Sequence, residues 1–379
     1  MKKTLLAAAL LAGFAGIAQA ETSVTLYGII DTGIGYNKID TPAYDHSRIG
    51  MINGVQNGSR WGLRGTEDLG QGLRAVFQLE SGFDSSTGNS AQGGRLFGRQ
   101  ATVGLASDSW GQLDFGRQTN IASKFFGSID PFGAGFAQAN IGHAFSAANT
   151  NRYDNMVLFQ TPSFGGFQLG AGYSFNVNGS GNFATADNVR AITAGARYAN
   201  GPLQIALAFD QLRGNAAATG GSGDLEDAKP RQYTVGASYN FEVVKVALAF
   251  ARTEDGWFAG QGPGAPTGGV PASALPGGGT TTASYPTYRF ADGFRANSYM
   301  AGLTVPLGAT SLFGSWQMID PKNDALTGGD ETSNVFSLGA TYDLSKRTNL
   351  YVYGSYAKNA LFIDDAKSTA AGVGVRHRF

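Results

Sequence analysis

The sequence predicts an all-β fold, a transmembrane antiparallel β-barrel of about 16 strands with short turns at one end and long loops at the other. Apolar residues recur at every second position along the chain, and this is the period of a strand. Short and long connections alternate between these segments. Charged residues make up only 15% of the 379 residues, against roughly 25% in soluble domains.

The first element is an export segment. Residues 1–20 begin with Lys2 and Lys3, continue with an apolar run over 5–17, and end on Ala18-Gln19-Ala20. A basic start, an apolar centre and a small-residue cleavage pattern are typical of a secretory signal peptide. The sequence therefore predicts a cleaved signal at 1–20 and a single barrel domain over 21–379.

The strands follow in order from 23–36 to 368–379. In 203–210, apolar residues alternate with small or polar ones: Leu203, Ile205, Leu207 and Phe209 against Gln204, Ala206, Ala208 and Asp210. The same alternation occurs in 24–31, 73–80, 233–239, 298–305 and 336–342. No stretch has a convincing helical period, so the mature chain is predicted to be all β.

The connections set the strand count. Short turns are predicted near 67–72, 107–112, 162–166, 200–202, 240–243, 306–309 and 343–348. Longer segments are predicted near 37–58, 84–94, 119–151, 176–189, 211–230, 253–296, 319–333 and 358–367. Strict alternation of the two kinds gives about sixteen strands, the even number expected for bacterial membrane barrels.

The width of such a barrel decides which face is apolar. About sixteen strands enclose more space than side chains can fill, whereas about eight are just filled. The interior must then hold water, and the apolar set must face lipid. Closing the sheet pairs every strand edge, as the hydrocarbon requires.

Several motifs resemble a known family. They are the run 59–73, Phe97-Gly98-Arg99-Gln100-Ala101, Arg152-Tyr153-Asp154-Asn155 and the end Arg376-His377-Arg378-Phe379. In this order they are similar to the trimeric general-diffusion porins of beta-proteobacterial outer membranes. The resemblance implies a homotrimer and a third loop folded inward. Leu158, where related sequences often carry a basic residue, and the Gly- and Pro-rich segment 253–296 depart from the pattern.

Basic residues are the candidate pore-lining groups. An arginine on the lipid face at mid-depth would cost roughly 2–4 kcal/mol, so strand arginines are expected to face inward. The predicted pore-lining set is Arg60, Arg64, Arg74, Arg99, Arg117 and Arg152.

The segment 119–151 is the candidate constriction loop, because it is far longer than a hairpin needs. Lys124, Asp130 and Phe132 are its predicted site residues. We expect Asp130 to lie opposite the arginines and to create a transverse field, with a mild preference for anions. The terminal Phe379 resembles the signal that the outer-membrane assembly machinery reads.

The predicted function is passive diffusion of ions and small hydrophilic solutes through a Gram-negative outer membrane. The expected partners are two further copies of the chain, outer-membrane lipid, the assembly machinery and the solutes themselves. A balance of 28 basic and 28 acidic residues argues against nucleic acid. No cofactor or metal site is predicted. The alternatives are a substrate-specific channel and, less favoured, a barrel hydrolase with His143 as its base.

Overall fold

The computed structural model describes residues 23–42, 44–214, 228–258, 270–271, 282–283 and 288–379. The predicted signal at 1–20 lies outside the described residues. Almost all regular structure in the described part is β-strand. No helix among the described residues is both long enough and apolar enough to cross a membrane.

The strands and helices have these bounds. The strands are β1 Ser23–Thr41, β2 Tyr44–Asn53, β3 Arg60–Gly70, β4 Leu73–Gly82, β5 Gln100–Ser107, β6 Gly111–Thr119, β7 Arg152–Gln160, β8 Phe167–Ser174, β9 Arg190–Asn200, β10 Leu203–Arg213, β11 Arg231–Asn240, β12 Lys245–Trp257, β13 Val270–Pro271, β14 Thr282–Ala283, β15 Arg289–Leu307, β16 Thr310–Pro321, β17 Ser333–Asp343, β18 Thr348–Lys358 and β19 Lys367–Arg378. The helices are α1 Ala91–Gly94 and α2 Ile121–Phe126, with 3-10 turns at Ala137–Ala139, Ile141–His143, Ser146–Ala148, Thr185–Asp187 and Ala360–Phe362.

The sheet closes on itself through β1. One edge of β1 pairs antiparallel with β19, with Ile29 opposite Arg378. The other edge pairs with β3 over its first half and with β2 over its second half. Strands β2 and β3 therefore share one position around the barrel, interrupted by 54–59. The 17-stranded sheet thus occupies sixteen positions, and the predicted sixteen-stranded antiparallel barrel is confirmed. The β13–β14 pair is a separate two-stranded sheet.

Two of the predicted long loops are wrong in extent. The segment 37–58 was expected to be a loop, but β1 continues to Thr41 and β2 returns from Tyr44. This hairpin carries charged residues such as Lys38, Asp40 and Asp45, so it lacks the apolar period by which a strand is recognised. Similarly, β12 and β15 extend into 253–296 from either side, and most of the remainder lies outside the described residues.

The alternation of side chains matches the predicted faces. On β10, Ile205 and Leu207 are 37% and 50% exposed on the outer wall, whereas Ala206 and Ala208 are 0% and 7% exposed. The β10 pairings with β9 and β11 run without a bulge, so the alternation holds along the strand. The apolar set faces outward, as an environment of lipid requires.

Candidate functional site

The 120–151 segment packs on inward-facing residues of the barrel wall. Its helix α2 is capped by Asn120, whose side chain accepts a hydrogen bond from the Ser123 backbone N–H at 3.3 Å. The Ile121 N–H donates to Thr193 Oγ1 on β9 at 2.9 Å. Phe125 and Phe126 are 1% and 0% exposed. Burial of these side chains seats the helix against one side of the interior.

Glycines on the inner wall make room for this helix. A Cβ atom on Gly170 would lie 2.4 Å from Ile121 Cδ1, and one on Gly195 would lie 2.8 Å from Ile121 Cγ2. A Cβ on Gly236 would approach Phe126 within 2.9 Å. Part of the high glycine content therefore serves the close approach of the loop to the sheet.

The loop then crosses to the opposite wall. Phe132 packs edge-to-face on Phe313 of β16, with ring centroids 4.9 Å apart. Phe136 meets Tyr351 of β18 at 5.6 Å. Gln317 of β16 donates from Nε2 to the Ala139 carbonyl at 2.9 Å. Since both ends of the crossing are fixed, the free space lies beside the loop, toward β3–β7.

Asp130 differs from the sequence expectation. Its side chain is 4% exposed and does not face the arginines, because the carboxylate accepts hydrogen bonds from its own loop. Phe132 N–H donates to Oδ1 at 3.0 Å, and the N–H groups of Ala134 and Ile141 donate to Oδ2 at 2.8 and 3.0 Å. Burial raises the pKa of Asp130 to about 6, against the lowering effect of these three donors. Asp130 therefore stabilises the conformation of the loop through hydrogen bonds from the loop's own backbone.

On the wall that faces the loop, two arginines lie within 4 Å of one carboxylate and a third interacts with it electrostatically. Glu80 of β4 accepts from Arg99 Nε at 2.7 Å, and Arg60 Nη1 lies 3.8 Å from the same oxygen. Arg152 of β7 interacts electrostatically with Arg60, Arg99 and Glu80. The Nε of Arg152 has no hydrogen-bond partner among the described residues. The cluster thus carries two more positive charges than negative ones.

A polar cavity of 560 Å³ lies on the short-turn side of this cluster. Arg64, Arg74 and Lys124 line it, together with Gln78, Gln100 and Gln160. Lys124 donates to Gln160 Oε1 at 3.1 Å. Arg64 lies over the ring of Tyr27, with Cζ 5.5 Å from the centroid. Polar walls of this kind keep the space hydrated.

Arg74 and Arg117 form ion pairs with carboxylates other than Glu80. Arg74 Nη2 is 2.7 Å from Asp108 Oδ1 at a short turn. Arg117 Nη1 is 2.6 Å from Asp154 Oδ1, and Arg95 Nη1 reaches the same oxygen at 2.7 Å. The structure therefore brings together Arg60, Arg99 and Arg152 of the predicted set, with Arg64 nearby.

Sequence reasoning did not assign a role to Glu80 or Tyr27. The Tyr27 hydroxyl donates to Glu80 Oε2 at 3.0 Å and accepts from Gln78 Nε2 at 2.7 Å. Both residues lie on inward positions of strands already predicted, Glu80 on the same face of β4 as Arg74. The alternation of inward and outward positions along these two strands could have predicted that both side chains share the lumen face with the arginines.

Two further residues singled out in the sequence, Leu158 and Phe379, have defined contacts in the structure. Leu158 is fully buried in the apolar cluster that contains Ile121 and Phe125, so an apolar residue there supports the loop. Phe379 exchanges two backbone hydrogen bonds with Gly28, each of 3.0 Å. Its ring occupies the space of a Cβ on Gly28, at 2.2 Å, so the chain end closes the barrel against β1.

Comparison with known proteins gives a consistent result. The family model described as Gram-negative porin matches residues 7–360. An outer membrane porin protein of Bordetella pertussis is 67% identical over the full length of both chains, and outer membrane porin protein 32 of Delftia acidovorans is 33% identical over both full lengths. The solved anion-selective porin from Comamonas acidovorans is 28% identical, with a TM-score of 0.72 over 95% of this chain and 100% of that one. Strand architecture and sequence agree, and the chain belongs to the Gram-negative porin family of the outer membrane.

Proposed function

We propose that this chain conducts ions and small hydrophilic solutes passively through a water-filled channel with a mild preference for anions. The observation that carries the proposal is the cluster of Arg60, Arg99 and Arg152 around the single carboxylate of Glu80. Positive charge in excess on one wall lowers the energy of a passing anion and raises that of a cation.

The expected size of the effect follows from electrostatics. Two unit charges about 4 Å apart interact by roughly 4 kcal/mol at an effective dielectric of about 20. Mobile ions screen this field over about 8 Å at physiological salt. A preference for anions that weakens as salt rises is therefore expected, and the anion-selective character stated for the Comamonas relative supports it.

The segment 119–151 is proposed to form the constriction. Phe132 fixes it to the wall at Phe313, Asp130 holds its turn through three backbone donors, and Lys124 borders the polar cavity. In this arrangement the passage runs between the loop and the arginine wall. Lys124 then adds positive charge on the short-turn side of the passage.

A channel is inferred in preference to an enzyme. The family and the names of its relatives describe channels. A hydrolase would need an accessible base, and the candidate His143 is 1% exposed inside the loop. No observation among the described residues favours a substrate-specific channel over a general one.

Export, assembly and trimer formation complete the proposal. The basic and apolar start of the chain supports a cleaved signal at 1–20. The terminal position of Phe379 supports a role in recognition by the assembly machinery. The resemblance to trimeric porins supports a homotrimer.

Planar-bilayer recording in a KCl gradient tests the proposal. The reversal potential of the native protein should show anion preference. Arg152→Gln should move the reversal potential toward zero, because it removes one of the three arginine charges of the Glu80 cluster. Arg295→Gln, on an outward position of β15, is the matched control and should leave the reversal potential unchanged. Cation preference in the native protein would refute the assignment of selectivity.

A further inference from the structure

Two opposite charges line the polar cavity without forming an ion pair with each other. Lys124 of α2 and Asp114 of β6 both border the 560 Å³ space beside the loop. Asp114 is 7% exposed, and Lys124 is partly buried. The charge that acts electrostatically on Asp114 is that of Lys124, and the reverse also holds. Neither residue, however, forms an ion pair with any residue that the structure describes.

Glutamine side chains hold both charged groups instead. Gln112 donates from Nε2 to the two carboxylate oxygens of Asp114, at 2.9 and 2.8 Å. Lys124 Nζ donates to Gln160 Oε1 at 3.1 Å and lies 3.5 Å from Gln118 Oε1. An ammonium has three donors and a carboxylate has about four acceptor positions. Each charged group therefore has hydrogen-bonding capacity left for a molecule in the cavity.

The ammonium and the carboxylate lie close to each other. Gln112 and Gln160, which hold them, are directly opposite in the β6–β7 ladder, where opposite Cα atoms are about 4.5–5.5 Å apart. Gln118 contacts both Lys124 and Asp114, because its Nε2 also donates to the Asp114 backbone carbonyl at 3.4 Å. The gap between the two charges is therefore too wide for an ion pair and narrow enough for one small molecule to span.

The charges themselves select the kind of molecule. A partly buried charge without an opposite charge is costly, because burial removes water and no ion pair replaces it. A simple anion would be attracted by Lys124 and repelled by Asp114, and a simple cation would meet the reverse. A zwitterion that carries an ammonium and a carboxylate a few bonds apart satisfies both groups. The cavity volume lies within the range of small-molecule sites, roughly 300–1,000 Å³.

We propose that Asp114 and Lys124 form a weak binding subsite for a free α-amino acid, with its ammonium at Asp114 and its carboxylate at Lys124. Gln112, Gln118 and Gln160 position the two charged side chains. The inference rests on the proposed function, because solutes reach this cavity only through an open channel. The subsite concentrates one class of solute beside the loop without excluding others, so the channel remains a general one.

Planar-bilayer recording of the full-length protein tests the subsite, with glycine and its uncharged isomer glycolamide as probes. The two solutes contain the same atoms and are nearly equal in size, but only glycine carries the two charges. A bound solute narrows the passage for ions. Glycine should therefore lower the single-channel conductance in dilute KCl in a saturable way, whereas glycolamide should have little effect. Equal effects of the two solutes at equal concentration would overturn the proposal.

A double variant removes both charges of the subsite and leaves the net charge unchanged. Asp114→Asn/Lys124→Gln should raise the glycine concentration for half of the maximal effect roughly tenfold, because charge-assisted hydrogen bonds are lost. The matched control is Lys38→Gln/Asp45→Asn, which removes a closed pair of the same two residue types, 2.9 Å apart, from the β1–β2 hairpin. It should respond to glycine as the native protein does. A native response of the first variant, or equal losses in both variants, would overturn the subsite.

Single variants distinguish a zwitterion site from a site for anions. Asp114→Asn and Lys124→Gln should each weaken the effect of glycine. If Asp114→Asn leaves the effect unchanged or strengthens it, Lys124 binds the carboxylate alone and the zwitterion site is refuted. Native channels that prefer anions and do not respond to glycine would refute the subsite alone. A native protein that forms no channels would refute the proposed function, and the subsite with it.

Discussion

Arg99 donates through Nε to the carboxylate of Glu80 at 2.7 Å, on the wall that faces the inner loop. Arg60 lies 3.8 Å from the same oxygen, and Arg152 adds a third positive charge nearby. Glu80 therefore holds like-charged side chains together that would otherwise repel one another. It also lowers the positive charge that a passing ion encounters.

Replacing Glu80 by glutamine should increase the preference for anions. One charge about 8 Å from the ion path contributes roughly 0.5 kcal/mol at the dielectric of water, close to a twofold change in permeability ratio. Reversal potentials in a KCl gradient give this ratio. Asp108→Asn, which removes an 85% exposed carboxylate from the turn beside Arg74, is the control and should have a smaller effect. A shift of Glu80→Gln toward cations would contradict the account.

Enlarging Gly170 should narrow the channel. Leucine there would collide with Ile121, because even a Cβ lies 2.4 Å from Ile121 Cδ1, and α2 would be displaced into the lumen. Single-channel conductance should fall. Adding Ile121→Ala should restore it, since the collision is removed. Native conductance in Gly170→Leu would show that the helix is not seated on this wall.

Removing Asp154 should destabilise the long-loop end. Its carboxylate accepts from Arg95, Arg117 and the Gly179 N–H, and thus joins the 83–99 and 175–189 connections. Loss of such partly buried charged hydrogen bonds costs about 2–3 kcal/mol. Urea unfolding of Asp154→Ala in detergent should show this loss. Asp45→Ala removes an exposed partner of Lys38 and should cost less than about 1 kcal/mol; equal losses would be inconsistent with the structure.

Asp130 should make the stability of the folded chain depend on pH. Its pKa is raised from 3.8 to about 6, so the folded state binds the proton more tightly than the unfolded state. The stabilisation is complete below pH 3.8 and is lost as pH rises through about 6, by roughly 3 kcal/mol in total. Asp130→Asn lacks this dependence. The free energy of unfolding of the native protein, relative to Asp130→Asn, should therefore be higher at pH 4 than at pH 7, and a constant difference would contradict the assignment.

The sequence predicts the barrel well because one face of each membrane strand must be apolar. The period of two in 203–210 is enough to assign β10 and its faces. The apolar period of two does not identify the hairpin 37–53, because charged residues occupy many of its positions. Nor does it predict that β2 and β3 share one position around the barrel. That sharing depends on the pairing of β1 with two partners, and no local pattern encodes it.

The types of residue in the candidate site could be predicted from the sequence, but which arginine pairs with which carboxylate could not. Arg60 follows from its inward position in the strand pattern, whereas Arg99 and Arg152 belong to the motifs that carry the family resemblance. Which arginine meets which acid depends on strand register and on the path of 83–99, so the pairing of Arg117 with Asp154 could not be foreseen. Asp130 was misplaced because the backbone donors of a folded loop are not visible in its sequence.

Modification of a cysteine at position 60 tests the central claim most directly, because the native chain contains no cysteine. Arg60→Cys would be recorded in a KCl gradient before and after a cationic or an anionic methanethiosulfonate reagent. The cationic reagent should restore anion preference, and the anionic reagent should move the reversal potential toward cation preference. If mass spectrometry shows complete labelling and neither reagent changes the reversal potential, the arginine wall does not line the ion path.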